Sequence, residues 1–405
     1  MSHGLVGRYA SVLVDGAWRV SLAGWFARLV RSSAQIGAVL LVAARAGDFA
    51  IAGVAAGAVV IGAAIGGPLW SRAADRRGQQ RVLPWTIVSM ILAGAALIAA
   101  VDLGAPVPVL LLAALALGAS SADAGSFVRA RWMHRLTSAS HRHTALSLES
   151  VLDEFSFVIG PPVVTIVAGA IAPELGLAIG VLASVGGCLG LLAERSSIPR
   201  PSPTVSAAGR AASWLPLSVL ALLPAHVGIG LMFGSVDLTA VGIADDLGAT
   251  WVAGALLAVF AVGSVTAGLV VGAIGDRGTA LARLAVAGLV FAALVPWFAV
   301  LPTASGFAVA SLLGGLATTP VLIAASTIIE STTDRAGVTL ALTWPTVALS
   351  LGVTIGSWLA GSAIDAGDPF GATGLPLASA ALVAVTLLVN AAVRSRGART
   401  LADAS

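Results

Sequence analysis

The chain has 405 residues, 58% of them hydrophobic and only 10% charged, with a mean hydropathy of +0.98 and a formal net charge of +3. A soluble domain carries roughly 25% charged residues, so this chain lacks the polar surface that water demands and its main solvent is lipid. All 22 basic residues are arginine; the absence of lysine excludes a Walker A loop and a pyridoxal Schiff base, and with them a P-loop ATP-driven pump.

In chain order, residues 1–22 include Arg8, Asp15 and Arg19, which interrupt any signal-peptide core and suit a short interfacial segment. Long runs rich in Ala, Leu, Val and Gly follow. A helix needs about 20 apolar residues to cross a bilayer, and the pattern predicts twelve spans at 23–44, 48–70, 82–102, 107–128, 144–170, 174–194, 215–241, 249–273, 283–302, 305–328, 338–363 and 373–393. The first span carries Arg28 and Arg31, the fourth Asp123, the fifth Glu149, Asp153 and Glu154, and the seventh His226 and Asp237. The single cysteine, Cys188, lies in an apolar run and reads as a small packing residue. The segment 195–214, rich in Pro, Ser and Arg, reads as a flexible cytoplasmic linker that divides the spans six and six. The expected organisation is an interfacial segment (1–22), an N-terminal six-helix bundle (23–194), the linker, a C-terminal bundle (215–393) and a tail (394–405): an all-α polytopic protein of two pseudo-symmetric bundles.

Arginine placement orients the chain. Two arginines fall within the first span and only Arg45 falls in a loop on the far side, which leaves 19 on the near side. That asymmetry puts both termini in the cytoplasm of a protein in the inner membrane. It also explains the sequence pI of 10.3 without nucleic acid. The halves share a signal as well: loop 71–81 reads SRAADRRGQQR and loop 272–283 reads GAIGDRGTALAR, each after the second span of its half. Glycine permits a tight turn there, and Asp75 can cap a helix N-terminus or pair with an arginine. A duplicated six-helix unit accounts for the repeat.

With six plus six spans, a mid-chain linker and this repeated loop, the sequence resembles the major facilitator superfamily. Asp75, Arg76 and Gly78 match that family's loop motif, as do Gly272, Asp276 and Arg277 in the second half; Ser71 replaces the first glycine, and the basic tail is reduced to Arg81. The resemblance implies a latch between two rocking bundles, built on Asp75, Arg76, Gly78, Glu149, Asp276 and Arg277. VIGPPVVTIVAG (158–169) resembles the antiporter motif of drug and metabolite exporters at Gly160 and Pro161, although Val163 and Val164 stand where a glycine pair is expected. A proline kink that serves packing alone is the competing reading.

Intramembrane charges face a cavity or a partner. At about 1.5 Å per residue, the predicted spans place Arg28 level with Asp123, and Arg31 level with Asp153 and Glu154, while Glu149 lies nearer the surface, within reach of Arg76, Arg77 or Arg129. Arg28, Arg31, Asp123, Asp153, Glu154 and His226 are thus the candidates for proton coupling. Competing readings are a snorkelling Arg28, a static ion pair at Asp153–Glu154 and a packing role for His226. No HExxH, Ser-His-Asp or paired metal-ligand pattern lies in the spans, so the sequence calls for no cofactor or metal and disfavours a membrane-embedded enzyme. The expected function is proton-coupled export of a small drug-like or metabolite solute by a monomer in the bilayer, with an importer or facilitator of the same fold as the alternative.

Overall fold

The structure is a computed structural model that describes residues 13, 16–195, 198, 217–274, 278–332 and 338–402. Twelve of its helical stretches are long and apolar enough to cross a membrane, and no strand occurs among the described residues. The protein is an all-α polytopic membrane protein. The spans run Ala17–Ala46, Phe49–Arg77, Gln79–Asp102, Val107–Arg135, Thr144–Ala170, Pro173–Ala193, Leu217–Asp246, Trp251–Gly272, Ala280–Val300, Ala304–Ile329, Trp344–Asp365 and Gly371–Ala391.

Two helices reach further back than the predicted spans. The first span begins at Ala17 rather than 23. The fifth span, Thr144–Ala170, matches the predicted 144–170, but its helix starts at Ala139. In both, polar residues at the start continue the helix because the following apolar turns pack against neighbours, which outweighs weak local propensity.

Three spans are broken. The fourth consists of Val107–Ser120 and Ala124–Arg135. Its break has a local cause: Ser120 Oγ donates to the Leu117 carbonyl (2.7 Å) and Ser121 Oγ to the Gly118 carbonyl (2.6 Å), so the hydroxyls compete with the backbone ladder and end the helix. The seventh is interrupted at Ala221–Leu222 and the ninth at Val295–Pro296.

The described residues fall into two compact units, one drawn from Met1–Gly47 and Ala58–Ser206, the other from Asp48–Gly57 and Ala207–Ser405. The first turns of the second span belong with the second unit. There the Asp365 carboxylate accepts from the backbone N–H groups of Phe49 (2.9 Å) and Ala50 (2.8 Å). Asp48 Oδ1 caps the same helix through Ile51 N at 2.7 Å. An acidic cap suits the positive end of a helix.

Packing in both units relies on absent side chains. In the second unit the seventh and eleventh spans face each other through two reciprocal G-x-x-x-G pairs. A Cβ on Gly230 would lie 2.0 Å from the Leu349 carbonyl oxygen, and one on Gly234 would lie 2.2 Å from that of Val353. In return, a Cβ on Gly352 would meet the Val227 oxygen at 2.1 Å and one on Gly356 the Leu231 oxygen at 2.2 Å. Lipid supplies no hydrophobic drive between helices, so such close backbone approach provides the attraction. In the first unit Gly187 lets the sixth span meet the first, its Cβ position lying 2.2 Å from Ala27 N. Beside it the buried Ser184 hydroxyl accepts from Val30 N (2.7 Å) and donates to the Phe26 carbonyl (3.2 Å). It therefore spans both ends of one i→i−4 rung of the first helix, a recognised origin of bending.

Candidate functional site

The intramembrane charges of the first unit converge on the second piece of the fourth span. Glycines bring the elements together: a Cβ on Gly24 would strike Val128 at 2.3 Å, and one on Gly125 would sit 3.2 Å from Asp153 Oδ1 and 3.3 Å from Arg28 Nε. Into that contact point Arg28, Arg129, Glu149 and Asp153.

Arg28 forms a salt bridge with Glu149, and its Nε lies 2.8 Å from Asp153 Oδ1. Arg129 pairs with the other oxygen of Asp153. Glu149 is fully buried and accepts two further hydrogen bonds at Oε1, from Ser21 Oγ (2.6 Å) and Trp132 Nε1 (2.9 Å). Two arginines thus face two carboxylates, and the cluster is neutral overall. Arg31 stands apart, its Nη1 3.5 Å from Asp123 Oδ1.

These pairings correct the sequence-based ones. Arg28 meets Glu149 and Asp153 rather than Asp123, and Arg31 meets Asp123 rather than Asp153; the side chain of Glu154, the other partner expected for Arg31, lies outside the described residues. Depth does not decide between these partners: the first and fifth helices both begin five or six residues earlier than predicted, so their residues keep the same relative level. Packing decides: the glycine at Gly125 lets Arg28 and Asp153 meet, and Glu149 is fully buried rather than a surface residue. Arg129, one of three arginines expected within reach of Glu149, pairs with Asp153.

Several residues of the site escaped the sequence. Trp132 and Ser21 complete the shell of Glu149. Arg131, counted there only as a topology charge, is buried: its Nε donates to Gln79 Oε1 (2.7 Å), and its other nitrogens to the carbonyls of Leu191 (2.8 Å) and Glu194 (2.9 Å). It caps the C-terminal carbonyls of the sixth span. The available signal was the run SSAD at 120–123, an N-cap signature that opens a helix rather than a loop.

The other candidates lie elsewhere. Asp75 is exposed and has no side-chain hydrogen bond or ion pair among the described residues, whereas Arg76 does have a partner. Gly78 has φ +86° and Gly278 φ +75°, so both repeated loops turn at a glycine in the left-handed region. Ser71, in place of the motif's glycine, bonds Ser126 at 3.1 Å. Asp276 and Arg277 fall outside the described residues, as does the side chain of Glu154. Gly160 and Pro161 sit inside one continuous helix, Ala139–Ala170, and a Cβ on Gly160 would lie 2.4 Å from Ser32 Oγ; this glycine admits the first span. His226 is buried, its Nδ1 2.9 Å from the Leu222 carbonyl at the break in the seventh span. Asp237 lies nine residues inside the end of that helix at Asp246, deeper than the sequence suggested.

The family model of the Major Facilitator Superfamily matches residues 20–238, more than half of the chain. The chain belongs to the Major Facilitator Superfamily. Its fold is similar to that of the nucleoside transporter NupG (13% identity, TM-score 0.69, covering 93% of this chain and 99% of that one). It is also similar to the POT family transporter PepTSo (11%, 0.64, 94% and 98%) and to the human organic anion transporter MFSD10, or TETRAN (13%, 0.62, 93% and 99%). At such identities the likeness is one of fold. No curated protein sequence matches the chain. As a major facilitator it is a secondary transporter and not an enzyme.

Proposed function

We propose that this transporter exchanges protons for a small organic solute and works as an exporter in the inner membrane, with both termini in the cytoplasm. The observation that carries the coupling is the buried bridge in which Arg28 spans Glu149 and Asp153 while Arg129 holds the second oxygen of Asp153. Within this bridge Glu149 anchors Arg28, and Asp153, half-buried, is the carboxylate that water reaches. In this scheme, movement of the first or fourth span relative to the fifth exchanges the arginine partners of Asp153 for a proton. Export is supported by the Gly160-Pro161 resemblance, and orientation by the arginine asymmetry. Asp75 and Arg76 belong to the latch in this scheme, with Gly78 and Gly278 as the turns that hold the two loops.

The test uses full-length protein in liposomes with a trapped pH dye and a panel of nucleosides, dipeptides and aromatic carboxylates. Solute-dependent proton flux is expected in the wild type. Asp153→Asn should abolish it while sparing solute exchange. Undiminished proton flux in Asp153→Asn refutes the coupling role.

A further inference from the structure

We infer that Arg31 is a binding subsite for an oxyanion, the carboxylate or phosphate of the transported solute, and that Asp123 is its internal stand-in when no solute is bound. This inference rests on the transporter reading and adds a substrate class to it.

Position is the first argument. Arg31 is at the midpoint of the 30-residue helix Ala17–Ala46, yet its side chain is 61% exposed. With a hydrocarbon core about 30 Å thick, a residue there is about 15 Å from either interface, too far for an arginine to snorkel. A charge facing lipid at that depth costs at least about 2.5–3.5 kcal/mol, and intramembrane charges accordingly face water-filled cavities. The exposed face of Arg31 is therefore a wet one.

Spare capacity is the second. Arg28 and Arg129 are engaged by Glu149 and Asp153, and Arg131 by three oxygens at 2.7–2.9 Å. Arg31 has a single contact, at 3.5 Å, longer than the roughly 2.7–2.9 Å of a well-formed charge-assisted bond. Four of its five donors have no partner among the described residues. A guanidinium matches a carboxylate or phosphate by two parallel bonds.

Asp123 supplies the third. It occupies the N-cap position of Ala124–Arg135 but makes no side-chain cap bond. An aspartate there ordinarily turns onto its own helix; this one contacts Arg31 instead and is itself 36% exposed. Its carboxylate occupies the place a solute oxyanion would take, and the uncapped helix start adds favourable potential for that anion. Incoming solute displaces Asp123, which is then free to cap the helix.

The experiment is binding calorimetry on the purified full-length chain in nanodiscs with sodium benzoate, phenyl phosphate and neutral benzamide. One or both anions should bind and benzamide should not; which anion binds more tightly separates a carboxylate from a phosphate substrate. Arg31→Gln should weaken anion binding about tenfold or more, the range of a lost charged hydrogen bond, and Arg31→Lys should restore part of it. Asp123→Asn, which leaves the guanidinium without its competitor, should tighten binding severalfold, and this readout does not depend on the folding of an Arg31 variant. Equal binding of benzamide, wild-type affinity in Arg31→Gln or weaker binding in Asp123→Asn overturns the subsite, as does the absence of anion binding at millimolar concentrations. The two readings fail separately. Proton flux driven only by neutral solutes leaves the transporter reading intact without the subsite. Anion binding through Arg31 without any proton-linked flux leaves the subsite intact without the coupling.

Discussion

Replacing Glu149 by glutamine separates two accounts of the buried cluster by their magnitudes. The change keeps volume and shape. Oε1 still accepts from Ser21 and Trp132, which both bond that oxygen. Only the oxygen facing Arg28 becomes an amide, and two donors then confront each other. If the cluster acts merely as hydrogen bonds within a membrane bundle, one lost contact costs about 0.6 kcal/mol. If it acts as a buried ion pair, removing one partner strands a charge and costs about 3–5 kcal/mol. Arg28 is 4% exposed and Glu149 not at all, which favours the larger figure; the remaining contact of Arg28 with Asp153 is shared with Arg129 and does not replace the lost charge. The double variant Arg28→Met/Glu149→Gln removes the stranded charge and leaves Asp153 with Arg129, so most of the loss should return. The assay is reversible unfolding of the purified protein in mixed micelles, run as a double-mutant cycle. A loss near 0.6 kcal/mol for Glu149→Gln, or a double variant no more stable than the single one, refutes the ion-pair account.

Two further outcomes follow from the packing of the second unit. Gly352→Ala places a methyl 2.1 Å from the Val227 oxygen and 2.8 Å from Leu231 N; the spans must separate, and thermal denaturation should show a loss of about 1–3 kcal/mol, the usual range for overpacking. Asp365→Asn removes the charge that receives Phe49 N and Ala50 N; hydrogen exchange at the start of the second span should accelerate by an amount equivalent to about 1 kcal/mol, the typical worth of a cap, with no change in the first unit.

The fold was legible because lipid imposes one rule everywhere. Each span must satisfy its own backbone, so length and apolarity alone mark it, and the twelve predicted segments correspond to twelve observed ones. What stayed hidden was whatever depended on contact. Gly230, Gly234, Gly352 and Gly356 are individually unremarkable in a chain with 47 glycines; only the pairing of the seventh and eleventh spans turns them into reciprocal notches. Asp365 reads as a loop aspartate until the helix start at Phe49 is placed over it.

The site shows why charge identity is easier to read than charge pairing. Every residue of the cluster except Trp132 and Ser21 stood out as a charge in or beside an apolar run. Partners, however, were assigned by depth, and depth is blind to packing. The first and fifth helices both start five or six residues earlier than predicted, so the relative levels of their charges are unchanged; what separates Arg28 from Arg31, one turn apart, is how deeply each is buried. The break in the fourth span adds to this, because a helix interrupted at Ser121–Asp123 no longer carries a single depth scale from one end to the other. Burial resolves the ambiguity: the buried Arg28 takes the buried Glu149, and the exposed Arg31 is left to the exposed Asp123. The same division separates a neutral cluster, anchored by the buried Glu149 and holding the proposed proton site Asp153, from the open arginine of the proposed solute subsite.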